Sequence, residues 1–268
     1  MRIRWSLAAA ALAAARLALG QEPDPHAAMP ERPTVATHAY TVAPGWAELE
    51  FGLQAGHLNT TRDLAAPATF KLGLASHLQL ELTSAWVRLS GTAAASGAAD
   101  LVVALKWRLA DSLPVIGDFA IQPAVLLPTG SPDIGTGAVI GSLLLISSQH
   151  YGPVEVDVNL GLLTRLSDRG DTPYTATLWN VAAASAVAGP LGWTAEVFGF
   201  PGTSGAAGVA PLVALLTGPT YTLREWFVLD AGAIFPLAGP QSRALYVGLT
   251  WNLGRLWRTR PSAPSRSP

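Results

Sequence analysis

The sequence predicts an all-β protein, a single up-and-down antiparallel transmembrane β-barrel of about twelve strands. Three observations predict it. The first 20 residues read as an export signal. Half of the 268 residues are apolar, yet no stretch of the mature chain supplies the roughly eighteen consecutive apolar residues that a membrane helix needs. And segment after segment alternates apolar and polar residues with a period of two. An exported, hydrophobic chain without a helical span has one common way to satisfy its backbone inside a bilayer, the closed barrel.

The export signal, residues 1–20, consists of Arg2 and Arg4, a short apolar run from Trp5 to Ala15, and Ala18-Leu19-Gly20 as a small-x-small cleavage site before Gln21. An amphipathic anchor helix is the alternative, but the segment lacks a polar face. Residues 21–45, rich in proline and polar residues, are expected as an extended periplasmic lead-in.

From Trp46 the rhythm changes abruptly. Ala47, Leu49, Phe51, Leu53 and Ala55 share one face, and Glu48, Glu50, Gly52, Gln54 and Gly56 the other. About ten residues of this kind span a bilayer when tilted. The next two strands pair around Ser76. Leu74 then meets Leu78, Leu72 meets Leu80 and Phe70 meets Leu82 on one side, while Gly73 meets Gln79 and Lys71 meets Glu81 on the other. Register, face and charge agree, so a Lys71–Glu81 cross-strand pair is expected. The design recurs over 99–109, 119–127, 154–162, 191–197, 229–235 and 245–253, with Pro123 weakening its strand. Segments near 138–148, 174–188 and 209–216 complete an even count, which returns both termini to the periplasm. Compact turns are expected near 75–77, 149–153 and 189–192, with longer ones at 110–118 and 217–225. Gly- and Pro-rich stretches at 58–68, 90–98, 128–137, 166–173, 201–208 and 236–242 fit the outer surface. The barrel thus covers 46–254, and residues 255–268 form a disordered basic tail.

Aromatics support the membrane placement. Trp107, Trp193, Trp251 and Phe119 fall on the apolar phase near the periplasmic ends, with Phe70 and Trp86 near the other rim. Amphipathic rings favour headgroup depth; core aromatics of a soluble sandwich would sit mid-strand more often. Trp46 and Trp226 are out of phase and fit a cap on the periplasmic rim. Trp251 or Trp257 would serve recognition by the barrel-assembly machinery. The expected partners are therefore that machinery, outer-membrane lipid and a small-molecule solute, in the outer membrane of a Gram-negative bacterium.

Charge narrows function further. Only 13% of residues are charged, about half the fraction of soluble chains. Seven of the 17 basic residues lie in the leader and tail, which leaves 10 against 18 acidic ones in the body. Nucleic acid is an improbable partner for such a surface. The absence of cysteine excludes disulfides, thiolate metal sites, lipoprotein processing and cysteine nucleophiles.

If the polar phase faces inward, the lumen is polar and carries Glu48, Glu50, Glu81, Asp100, Glu155, Asp157, Glu196 and Asp230 against Lys71, Lys106 and Arg108, with Gln122 and Asn159 among them. Eight acids to three bases would favour cations in a passage. The alternative is a closed interior in which these groups pair with one another. Arg32, in Glu31-Arg32-Pro33, is a latch candidate that would enter the periplasmic mouth and meet acids such as Glu48; a flexible leader is the alternative. No constellation for catalysis, metal or cofactor is found. The five histidines lack metal spacing. His57 and Ser84, both on the outward phase, sit on the first and third strands. Two strand spacings place them about 9–10 Å apart, beyond proton-transfer reach. A non-enzymatic barrel is expected, a channel for small solutes, with a closed structural or adhesion barrel as the alternative and a lipid hydrolase behind both.

Glu31-Arg-Pro-Thr-Val…Tyr40-Thr-Val-Ala-Pro-Gly45 followed by Trp46-Ala-Glu-Leu-Glu50, together with Leu126-Leu-Pro-Thr-Gly-Ser131 and Tyr246-Val-Gly-Leu-Thr-Trp251, resembles a family of bacterial outer-membrane "transporter" proteins catalogued under a meta-pathway phenol-degradation name. Ala43 stands where that family has the first proline of a Val-Pro-Pro-Gly-like turn. The resemblance spans most of 31–254. It implies a barrel and uptake of aromatic or apolar molecules, and brings no catalytic residues.

Overall fold

The computed structural model describes residues 24–91, 94–166, 175–201, 203–204 and 211–257. The signal peptide expected at 1–20 and the tail beyond Trp257 lie outside the described residues. The strands are β1 (Trp46–Leu58), β2 (Thr61–Ala75), β3 (Leu78–Ser90), β4 (Ala95–Ala98), β5 (Leu101–Leu113), β6 (Gly117–Leu127), β7 (Ile140–Tyr151), β8 (Val154–Arg165), β9 (Thr175–Ala188), β10 (Leu191–Phe200), β11 (Thr203–Ser204), β12 (Leu212–Arg224), β13 (Phe227–Ala238) and β14 (Arg243–Arg255). Twelve of them form the wall. Each pairs antiparallel with its neighbour, and β14 returns to β1 over Trp46–His57, so the sheet has no open edge. The short β4 and β11 lie off that circuit, on β3 and β9.

The two-residue rhythm sets the register. Phe70↔Leu82, Lys71↔Glu81, Leu72↔Leu80 and Gly73↔Gln79 are partners as expected. Leu74 does not meet Leu78; a bulge after Gly73 gives Leu78 to Ala75 instead. Several strands run longer than their sequence signal. Residues 61–68, expected in an outer loop, continue β2, so only Asn59 and Thr60 turn the chain, with Asn59 in the left-handed conformation that asparagine tolerates. The turns expected at 110–118 and 217–225 are likewise short, because β5 reaches Leu113 and β12 reaches Arg224. Alanine and proline hide these extensions in the sequence: Ala65, Ala66, Pro67 and Ala68 alternate in space without alternating in polarity.

The outward phase is a band of exposed leucine, valine and tryptophan. Trp86, Trp107, Trp193 and Trp251 are all exposed on it, as are Leu53, Leu160 and Leu245. Such exposure would be costly in water and is expected against acyl chains. At the rim where β1 begins and β14 ends the His26 ring stacks on Trp226 and packs beside Trp46, with Arg255 over Trp46 at 5.9 Å.

The inward phase divides by height. In the half nearer that rim it is polar, with Glu48, Glu50, Lys71, Gln79, Lys106, Asn159, Glu196 and Asp230 all buried. Above them it turns apolar. Phe198, Ala214, Leu216, Ile234, Ala244 and Tyr246 form one buried cluster, with Phe200 and Leu212 packed against it. The uniformly polar lumen read from the sequence is therefore corrected: the outer half is greasy, because inward positions at the outer ends of β10 and β12–β14 are filled by aromatic and aliphatic residues.

Candidate functional site

Residues 24–45 do not trail below the barrel. They climb into the polar half of its interior, cross it, and descend to the start of β1. Pro25, Pro30, Pro33 and Pro44 keep this stretch from pairing as a strand, so its amides and carbonyls need other partners once buried. The polar wall supplies them. Glu48 accepts the Met29 amide (2.7 Å) and Glu50 that of Glu31 (2.7 Å). The two oxygens of Glu196 accept the amides of Val35 and Ala36, each at 2.7 Å. Asn159 clasps Thr37, accepting its amide at 2.8 Å and donating to its carbonyl at 2.9 Å. Ser148 accepts the Ala39 amide, Gln79 that of Val42, and Asn252 donates to the Pro25 and Ala27 carbonyls. Six strands from opposite sides of the barrel (β1, β3, β7, β8, β10 and β14) thus read the backbone of one segment. Each buried amide left without such a partner would cost roughly 1–3 kcal/mol.

Charged groups tie the same segment to the wall. Lys71, fully buried, lies 2.5 Å from Glu48 and 2.9 Å from Glu50 and donates to the Met29 carbonyl at 2.6 Å. Lys106, equally buried, pairs with Glu31 of the lead-in, donates to the Thr37 hydroxyl at 2.6 Å, and stands 3.5 Å from Glu81. Glu81 is also held by Gln79 (2.7 Å) and Gln122 (2.6 Å). The Lys71–Glu81 pair is correct as backbone register and wrong as an ion pair. Lys71 stands between Glu48 on β1 and Glu81 on β3, and it turns to β1, where two carboxylates converge, while Lys106 serves Glu81.

Arg32, the latch candidate, does enter the barrel, but it meets Asp230 and not the expected Glu48. Its Nε and Nη2 donate to the two Asp230 oxygens, both at 3.3 Å. Glu48 is already occupied by Lys71, and Arg32 enters at the β13–β14–β1 side, which only barrel closure brings together. Two glycines make its bed. Gly52 and Gly248 are register partners, and a Cβ on either would fall 2.4–2.5 Å from the guanidinium. Only a residue without a side chain lets the planar group lie there.

The other predicted lumen residues scatter. Asp157 accepts from Ser148 at 2.5 Å, and Glu155 lies half-buried near it at the same end of β8. Arg108 leaves the lumen to pair with Asp111 at the rim, 3.1 Å away. Asp100 is not lumen-lining in function: it precedes β5 at the outer end and gathers the 128–139 loop, accepting the Gly130 amide (2.7 Å), the Thr136 amide (2.7 Å) and the Thr136 hydroxyl (2.8 Å). Burial raises its pKa, but these hydrogen bonds outweigh it and hold the carboxyl below the usual aspartate range. Eight acids against three bases therefore do not line a free aqueous path, because four of the acids (Glu48, Glu50, Glu196 and Asp230) and two of the bases (Lys71 and Lys106) bind the lead-in. Sequence reading missed Glu31, Thr37, Gln79, Ser148 and Asn252. Gln79, Ser148 and Asn252 lie on the inward phase and were findable from it; Glu31 and Thr37 lie in the lead-in, where only Arg32 was expected to turn inward and no periodicity marks which other side chains meet the wall. Ser84 hydrogen-bonds the Ala99 carbonyl at 3.0 Å, and among the described residues no three His, Asp or Glu side chains converge as a metal site.

No family model matches this chain, and no curated protein matches it. Solved structures do. The crystal structure of an outer membrane channel from Pseudomonas putida F1 is similar with a TM-score of 0.62 at 13% identity, covering 87% of this chain and 100% of that one. The NanC porin is similar with a TM-score of 0.56 at 8% identity, covering 76% of this chain and 100% of the porin. These matches agree with the barrel class implied by the motif resemblance and carry nothing on phenol degradation. At such identities the likeness speaks for the fold alone: the chain is built as a closed twelve-strand β-barrel, the fold of that channel and that porin.

Proposed function

We propose that the chain is an outer-membrane channel for passive or facilitated uptake of small apolar or aromatic molecules, with residues 24–45 as its gate. The observation that carries this reading is the change of polarity inside the barrel. An ion pore needs a hydrated path along its whole length, whereas here the outer half is lined by Phe198, Leu216, Ile234 and Tyr246 on one side and by Leu144, Leu163 and Leu178 on the other. A cavity of about 230 Å³ opens between Val102, Ala124, Leu144, Leu163 and Leu178, with Glu81 and Gln122 also lining it. An engineered apolar cavity of about 150 Å³ takes benzene, so the space suits a single ring or a short branched chain. Val35, exposed at 43% on the crossing segment, adds an apolar group. Below it the lead-in occupies the lumen, so passage requires that segment to shift. The fold likeness to a channel and a porin supports the same class of activity.

The test is uptake of a labelled monocyclic aromatic by cells carrying the protein as their added outer-membrane channel, against a hydrophilic sugar of similar mass. The aromatic enters faster, and Leu144→Glu with Leu163→Glu, which places charge in the apolar path, removes the advantage. Equal uptake by wild type and the double variant, or preference for the sugar, overturns the reading. A second reading, a closed structural barrel, draws on the dense pairing of the lead-in and predicts no protein-dependent uptake at all.

A further inference from the structure

Among the described residues basic side chains are scarce on the lipid-facing surface, and at the outer rim they gather in one place. Arg243 on β14, His57 on β1 and Arg62 on β2 stand in one row, since His57 is the register partner of both arginines. Arg88 on β3 extends the row: it pairs with Leu64, the residue two along from Arg62 on the same face. All four are exposed, and they share the outward phase with Leu53, Leu64, Trp86 and Leu245. With strands about 4.8 Å apart, four neighbouring strands set the row across roughly 14 Å. None of the four forms an ion pair with a carboxylate among the described residues. Asp63, adjacent in sequence, belongs to the inward phase, where it accepts the Ser242 hydroxyl at 3.0 Å. Elsewhere on the outward phase the same height is held by apolar residues such as Val125, Leu162 and Leu237. A depression of about 460 Å³ is lined by His57, Arg62 and Arg243 together with Ala55, Phe235 and Leu245.

We infer that this row is a docking site for the phosphorylated headgroup of an anionic glycolipid in the outer leaflet. Like charges held side by side on a membrane protein repel one another unless an anion lies among them. Guanidinium forks match phosphate oxygens in pairs. The row sits at the upper margin of the apolar band, so a lipid whose phosphates meet Arg62, Arg88 and Arg243 lays its acyl chains on Leu53, Leu64 and Leu245. The inference is independent of what, if anything, passes through the lumen.

The purified full chain in detergent micelles is offered equal amounts of bis-phosphorylated lipid A and its dephosphorylated form, and retained lipid is read by native mass spectrometry. The phosphorylated form is retained preferentially. One arginine beside an anionic lipid surface is worth about fivefold, so Arg62→Gln with Arg88→Gln and Arg243→Gln lowers retention roughly a hundredfold, while Arg224→Gln at the periplasmic rim leaves it unchanged. The matching lysine triple variant, which keeps the charge, retains most of it. Millimolar inorganic phosphate does not displace the lipid. Equal retention of the two lipids by wild type overturns the inference, and this comparison needs no variant to fold. So does full retention by a glutamine triple variant that still shows the heat-modifiable migration of a folded barrel, or displacement by free phosphate.

Discussion

Replacing Arg32 by alanine isolates the latch. Asp230 is 3% exposed and Arg32 16% exposed in the pair, so the substitution strands a buried carboxylate. Breaking a buried ion pair by removing one partner typically costs 3–5 kcal/mol. The two contacts are long, at 3.3 Å, and Arg32 keeps some access to water, so about 3 kcal/mol, the low end of that range, is appropriate. That penalty falls on the docked state, because withdrawal of the lead-in lets water reach Asp230. At 1.4 kcal/mol per factor of ten, the docked-to-undocked ratio drops roughly a hundredfold. The chain has no cysteine, so Ala36→Cys, at a position 2% exposed, reports undocking by its rate of reaction with a thiol reagent. The rate rises by a comparable factor in Arg32→Ala. Gly248→Leu gives the same rise without touching either charge, since its side chain occupies the guanidinium's place. An unchanged labelling rate in both variants would refute the latch.

Lys71→Met leaves Glu48 and Glu50 facing each other without their cation, and lowers the urea midpoint of the detergent-solubilised barrel far more than Glu48→Gln, which removes one of the two acids. For the outer loop, Asp100→Asn loses the charge that three donors converge on, about 1–3 kcal/mol, and limited proteolysis should cut the 128–139 segment faster. The pH dependence follows from the depressed pKa of Asp100. Its contribution is fully present above the unfolded value of about 3.9 and is lost as pH falls through the lower folded one, so loop protection is flat from neutral pH down to about 4 and declines only below it.

The wall of this barrel was legible because lipid imposes a strict rule on it. One side of every strand must be apolar and the backbone must pair, which leaves a period of two that Leu101–Leu109 or Leu245–Leu253 display openly. That rhythm also fixed Lys71 opposite Glu81. It could not choose the lysine's ion-pair partner, because each inward side chain has neighbours on two strands, and the choice fell to the strand with two carboxylates. Strand ends were blurred where alanine and proline replace leucine, as at 65–68. The site was less legible than the wall. Arg32 was recognised as a residue that could enter the mouth, but its partner Asp230 lies 198 positions away and becomes a neighbour only when β14 closes on β1. The lead-in's inward path has no periodic signature, since its amides are met by side chains rather than by another strand. Glycine at 52 and 248 reads in sequence as a weak strand residue, and its meaning appears only when a guanidinium lies across both.

Locking the lead-in in place tests the gate most directly. Ala39→Cys and Ser148→Cys place thiols at two neighbouring positions, where the Ala39 amide now bonds the Ser148 hydroxyl at 2.8 Å, and a disulfide between them would hold the segment docked. The account predicts that oxidised protein admits no labelled aromatic and that reduction restores the wild-type rate in the same cells. Uptake that continues at full rate with the disulfide formed would contradict it.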